Sequence, residues 1–250
     1  MLSLLGCATP KNLMPGNYAN PKGYFESLDL ALLHDELLAS IGSTWSDWRA
    51  VPPEWFVSVE AEIYRDRIAT VFHRNYENSE LCVLKDPRMC RLLPLWNGVF
   101  ELIKREPLFC FIDRNPLEFA ASLRTRDGSS FSQGLLYYVR NHLDAEYATR
   151  GQRRSFVSYG ALLADWREVT AAIAAELGVR LQINSGAAEV DAFLETGLRH
   201  QYVNEIDPDA SAASELALAV HSAFARLAAY PEDRAALDSL DQLRDNFNTR

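Results

Sequence analysis

The chain has 250 residues, 48% hydrophobic and 24% charged, which is enough for one large α/β domain and short for two independent ones. Its net charge is −9, from 25 Lys+Arg against 34 Asp+Glu, and so argues against non-specific nucleic-acid binding, which runs on phosphate neutralisation. No apolar run reaches the ~18–20 residues that span a bilayer.

The opening "MLSLLGCATPKN" has a short apolar stretch with no basic residue before it, which is not a signal-peptide pattern. Residues 1–6 read as the tail of a helix. "PKNLMPGNYANPKGYFES" is dense in Pro, Gly and Asn and reads as an ordered surface loop. The spacing of Leu28, Leu30, Leu33, Leu37 and Ile41 predicts a helix, with Ser27 as its N-cap and Gly42 closing it. Trp45 to Pro53 reads as a loop. Pro53 to His73 reads as an amphipathic helix or a pair of helices.

"LCVLKDP", Leu81 to Pro87, is a short apolar run closed by charge and proline, the pattern of a buried parallel strand. "RLLPLWNGVFELIKR" follows as a helix, with Pro94 expected near its start. "LFCFID", Leu108 to Asp113, is a second predicted strand. Asn115 caps the next helix and Pro116 takes its first position. "FSQGLLYYVRNHLDAEYAT" predicts a long helix, "RSFVSY", Arg154 to Tyr159, a third strand, and "ADWREVTAAIAAELG" a helix ending at Gly178.

The C-terminal part, about 205–250, is Ala/Leu-rich and helical. Strands alternating with helices predict an α/β fold of three layers, a mostly parallel sheet flanked by helices. Cys7, Cys82, Cys90 and Cys110 show no metal-ligand spacing. They read as buried free thiols, which favours a reducing, cytoplasmic compartment.

Ligands in open α/β sheets bind beyond the carboxyl ends of the strands. Three predicted ends carry polar signals: Lys85-Asp86-Pro87-Arg88, Asp113-Arg114-Asn115-Pro116 and Ser158-Tyr159. Arg114 sits where a strand hands over to a helix N-terminus, whose free N–H groups and dipole favour an anion. Its guanidinium adds a fork matched to phosphate. Ser122, two turns on, lies near the face shared with Asn115 and Glu118 or Phe119. A solvated Arg114 and a Ser122 bonded back to its own helix fit the same pattern.

"IDRNPLEFAASLRTRDG" resembles the adenosine-3′-phosphate-binding motif of sulfotransferases, with Arg and Ser eight residues apart on a strand-to-helix junction. "LKDPR" resembles the strand-end motif of the bacterial and tyrosylprotein branches. "FVSYGALLAD" resembles their Tyr-Glu-Asp-Leu-Leu segment, with Gly160 replacing the usual Glu. "LMPGNYANPKGYFES" resembles the loop before the first long helix of bacterial members. Together these segments cover roughly residues 3–200.

The resemblance implies one sulfotransferase-like domain over 1–250, with a fold like that of P-loop nucleotide hydrolases. It implies transfer of a sulfuryl group from 3′-phosphoadenosine 5′-phosphosulfate to a hydroxyl or amine, without a metal. Arg114 and Ser122 then hold the 3′-phosphate and Tyr159 contacts the adenine, unless it is a core-edge tyrosine. Lys85 becomes the cation that stabilises charge on the transferring group, unless it simply pairs with Asp86. Arg88 serves the same anion or caps local structure. Glu26 is the first choice for the general base, against a plain helix-dipole role beside Ser27. His34 is the second choice, against a structural role.

The family's Gly-, Arg-, Ser- and Thr-containing loop for the 5′-phosphosulfate is absent, and neither "GSTWSD" nor "DGSSFS" replaces it. The resemblance therefore implies an N-terminally shortened member, lacking the first strand, with weak donor binding and poor turnover. A non-catalytic binding module on the same scaffold is the alternative. A P-loop kinase relative is disfavoured, since no Gly-rich Lys-Ser/Thr loop is present. The acceptor, whether small molecule, glycan or peptide, and the oligomeric state are not readable. Tyr24, Trp45, Trp48 and Trp55 line an acceptor cleft or pack locally. "ETGLRHQY", with Arg199 and His200, is the segment expected to close over the nucleotide.

Overall fold

The computed structural model describes residues 1–18, 20, 23–77, 79–194 and 211–249. The protein is α-rich, 63% helical, with one small two-stranded parallel sheet, an arrangement compatible with the α/β class. The chain divides into two units, Met1–Pro107 and Leu108–Arg250, each described by itself. Arg199 and His200 lie outside the described residues. Among those residues, no helix is long and apolar enough to cross a membrane.

The first unit opens with a 3₁₀ turn, Leu2–Leu5, and then holds helices α1 (Leu28–Ser40), α2 (Val59–Tyr76) and α3 (Met89–Leu102). Ser27 caps α1 by accepting from the Leu30 N–H at 3.3 Å, and Gly42 follows the helix with φ +68°. Ser58 caps α2 by accepting from the Ala61 N–H at 3.1 Å. A 3₁₀ turn, Pro53–Val57, precedes that cap, so the predicted pair of helices is a turn and a long helix.

Leu30, Leu37, Leu38, Ile68, Leu92 and Trp96 are fully buried. Each leucine or isoleucine so removed from water contributes about 1.5–3 kcal/mol. Buried Arg91 donates to the carbonyls of Thr44 and Arg49 and to Ser43 Oγ, fixing the loop after α1. Pro94 stands in the second turn of α3 rather than at its start, on the exposed side, where its ring meets solvent rather than the core.

The predicted strand at Leu81–Pro87 is not a strand. It makes one parallel bridge, Ala8 with Cys82, through Ala8 N–H to Leu81 O (3.0 Å) and Val83 N–H to Ala8 O (2.9 Å). The next donor in that register is residue 10, which is Pro10 and has no N–H. Val83 O accepts from the Tyr76 hydroxyl instead, at 3.3 Å. The ladder therefore stops after one step.

The second unit contains β1 (Phe109–Asp113), α4 (Pro116–Asp127), α5 (Phe131–Ala148), β2 (Arg154–Ser158), α6 (Tyr159–Ala164), α7 (Trp166–Leu177), α8 (Ala187–Leu194), α9 (Ser211–Ala229) and α10 (Arg234–Asn248). The strands pair in parallel, from Phe109 with Arg154 to Asp113 with Ser158. Two of the three predicted strands thus form the sheet, with the expected bounds to within a residue. Asn115 caps α4 by accepting from the Leu117 N–H at 2.9 Å.

"DGSSFS" supplies the start of α5, where Ser130 and Gln133 form a reciprocal capping box. α4 and α5 approach closely at Gly134, where an added Cβ would lie 3.0 Å from the Ala120 Cα. α9 packs on α5, α10, β2 and α4. The four cysteines are free; Cys7 is buried and the other three are half-buried. Burial pushes the Cys110 thiol up to about 12, so it stays protonated.

Candidate functional site

The sequence points to two groups of residues, and each unit carries one. In the second unit, the parallel register sets the ends of β1 and β2 side by side. Asp113 pairs with Ser158, so the residues that follow, Arg114 and Tyr159, emerge next to each other. The Arg114 guanidinium lies over the Tyr159 ring, 5.5 Å from its centroid. Tyr159 is the first residue of α6, one step beyond the strand that was expected to end on it. It is half-buried, so one part of its ring is accessible.

Arg114 also donates from Nε to Glu118 Oε2 at 3.4 Å. That carboxylate is buried, and it holds the guanidinium against the first turn of α4. Ser122 is half-buried and lies one turn beyond Glu118 on the same face of the helix. Arg114, Glu118 and Ser122 follow one track at i,i+4 spacing, and Glu118 is the member in the first turn of α4, where the dipole favours a negative charge. Glu118 was expected on this face, but its ion pair with Arg114 was not read.

In the first unit, Lys85, Glu26 and Arg88 converge. Lys85 Nζ lies 2.5 Å from Glu26 Oε1, and Arg88 Nη1 lies 3.4 Å from Glu26 Oε2. Lys85 thus pairs with Glu26 rather than with Asp86. Glu26 is only 3% exposed, while the Lys85 side chain is 54% exposed.

The loop that carries Glu26 is pinned by Met14 N–H to Glu26 O (2.8 Å) and Leu28 N–H to Asn12 O (2.9 Å). Phe25, just before it, has φ +57°, a left-handed conformation unfavourable for a bulky residue. The local chain is thus strained at the residue that aims Glu26.

Arg88 forks Asp35 through Nε (2.6 Å) and Nη2 (2.8 Å) and reaches Asp86 Oδ1 at 3.2 Å. Burial opposes its charge, but the bonds to Asp35 and the nearby Asp86 outweigh that and push its pKa up. His34 is fully buried. Trp96 Nε1–H can only donate, and it donates to His34 Nε2 at 3.1 Å. His34 Nδ1 therefore carries the proton and donates to Asp86 Oδ2 at 2.8 Å. With both nitrogens engaged, His34 is a structural link.

Burial works against the Asp86 charge, yet the bond from His34 and the Arg88 charge hold its carboxyl below the usual range. Trp55 is buried and donates to Glu60, so it packs the fold. Tyr24, Trp45 and Trp48 are half-buried.

A third cluster, in the second unit, was missed. The buried Asp113 carboxylate accepts from the Tyr138 hydroxyl, and it meets His142 Nε2 at 3.2 Å and His221 Nδ1 at 2.5 Å. Burial opposes its charge, but its bonds to the two histidines and Tyr138 hold its pKa down, at about 2. Burial and the facing carboxylate push the Tyr138 phenol well up. The sequence signals were faint: the Tyr138-to-His142 spacing of one helical turn, and an aspartate closing an apolar strand.

The chain has no match among known family models, curated proteins or solved structures.

Proposed function

We propose that this chain is a sulfotransferase-type domain that uses 3′-phosphoadenosine 5′-phosphosulfate as donor, on a three-layer fold of that family. The observation that carries the reading is the pairing of Arg114 with Tyr159 at adjacent parallel strand ends. A cation beside a helix N-terminus suits a ribose phosphate, and an aromatic ring next to it suits a purine. Ser122 on the same helix face adds a hydroxyl donor for the phosphate.

In this reading the resemblance, taken for the first unit by itself, assigns the chemistry to Lys85 and Glu26, which that unit holds together. The acceptor oxygen attacks sulfur, the bond from sulfur to the 5′-phosphate oxygen breaks, and adenosine 3′,5′-bisphosphate leaves. Lys85 stabilises the charge that builds on the leaving and equatorial oxygens. Glu26 takes the acceptor proton. At rest the two neutralise each other at 2.5 Å. The half-exposed ammonium can turn to a sulfuryl oxygen, which leaves Glu26 with Arg88 as its charged neighbour.

A non-catalytic nucleotide-binding module is the second reading, favoured by that same closed ion pair. Incubation with donor radiolabelled in the sulfuryl group separates the two. Transfer to an acceptor panel, or release of labelled sulfate into water, supports the enzyme. Saturable nucleotide binding with neither product supports the module.

A further inference from the structure

Asp113 gathers donors from two helices onto the end of one strand. Tyr138 and His142 come from α5, and His221 comes from α9. Nδ1 of His142 faces the Tyr138 carbonyl at 2.8 Å, while its Nε2 faces the carboxylate. Both ring nitrogens therefore point at acceptors. The ring stacks on Tyr138 at 3.8 Å and meets the Phe224 edge at 4.8 Å, so it cannot turn away cheaply.

We infer that Asp113 and His221 form a proton-operated latch that fastens α9 to the end of β1, beside Tyr138 and His142 of α5. With His221 charged, α9 is tied to the buried carboxylate by a charge-assisted bond. With it neutral, His221 keeps only a plain hydrogen bond. α9 then loosens while the sheet and α7 stay in place. The latch does not depend on the nucleotide reading.

The bond to Asp113 raises the His221 pKa, against the opposing effect of burial. A raised histidine contributes fully below its ordinary value of 6.5 and loses that contribution as pH climbs through the folded value. Asp113 works in the opposite sense, contributing above 3.8 and losing it as pH falls towards about 2. The latch is therefore tightest between these limits.

Several ionised groups on elements packed against α9 are held in pairs of their own. Arg154 of β2 holds Glu146, Arg140 of α5 holds Asp144, Glu118 and Asp127 of α4 take Arg114 and Arg126, and Asp241 of α10 is held by Arg150. On α9 itself, Arg226 pairs with Asp233 and Glu215 is exposed.

Amide hydrogen exchange of the whole chain at about pH 6 and about pH 9, scaled for intrinsic rates, tests the latch. Protection in α9 is expected to fall about tenfold more than in α7, as weakening a charge-assisted hydrogen bond to a neutral one allows. His221→Asn keeps a neutral donor at the Nδ1 position and is expected to shrink that difference by at least about threefold. Equal loss in α7 and α9, or an unchanged difference in the variant, overturns the latch. Ring-proton titration of the wild-type chain gives a check independent of variant folding. His221 titrating above an ordinary histidine supports the inference, and titration at or below that value overturns it.

Discussion

Asp113→Ala is expected to destabilise the protein by about 3–5 kcal/mol, the cost of removing one partner from a buried charged pair. The carboxylate is only 5% exposed, and three donors converge on it. Deleting it leaves the Tyr138 hydroxyl and two imidazoles facing a gap between β1, α5 and α9. The phenol suffers most, since it has no route to water without moving its helix. Asp113→Asn retains one acceptor oxygen and should lose about half as much. Urea unfolding reads the difference as a lowered midpoint at constant slope. A shift worth less than about 1 kcal/mol for the alanine variant would show that the cluster is not bearing the helices.

The second large effect is on activity rather than stability. Lys85→Ala and Glu26→Gln are each expected to lower sulfuryl transfer by about 10²–10³-fold, the usual loss for a charge-stabilising donor or a general base. Stability is not the deciding readout, since Glu26 is buried and each variant is expected to cost about 1–3 kcal/mol. The Lys85 side chain is half in solvent and hydrates when unpaired. Arg88 keeps Asp35 and Asp86 when Glu26 is neutralised. A purely structural ion pair predicts that loss of stability with intact turnover per folded molecule. Unchanged transfer in either variant would remove that residue from the mechanism.

Local signals in the sequence translated directly into structure. Asn115 and Pro116 announce the start of α4 because a cap and a fixed φ act within one turn. Ser130 and Gln133 do the same for α5. The two apolar runs that became β1 and β2 were legible because each is short, apolar and bounded by polar residues. Leu81–Pro87 has the same character and still failed to become a strand. Its pairing was stopped by Pro10, far away in sequence, and no local pattern carries that information.

The candidate site divides in the same way. Strand-end logic found Arg114 and Tyr159, because a parallel pair with short polar ends brings such residues together. Lys85 and Arg88 were read at the end of a strand that did not form, and Glu26 was read from the resemblance of its loop. That Glu26 closes on Lys85, 59 positions away, depends on the path of a Pro- and Gly-rich loop. The link between Asp113 and His221 spans 108 positions and depends on how α9 returns to the sheet. Contacts of that range are set by tertiary packing, which periodicity and caps do not encode.

The central claim is that the β1–α4 junction holds the 3′-phosphate of an adenine nucleotide. Isothermal titration of the whole chain with adenosine 3′,5′-bisphosphate measures it directly. The account predicts one saturable site whose affinity falls about 10–100-fold in Arg114→Ala, as loss of a charge-assisted phosphate contact requires. No binding to the wild-type chain, or equal binding to the two proteins, would contradict it.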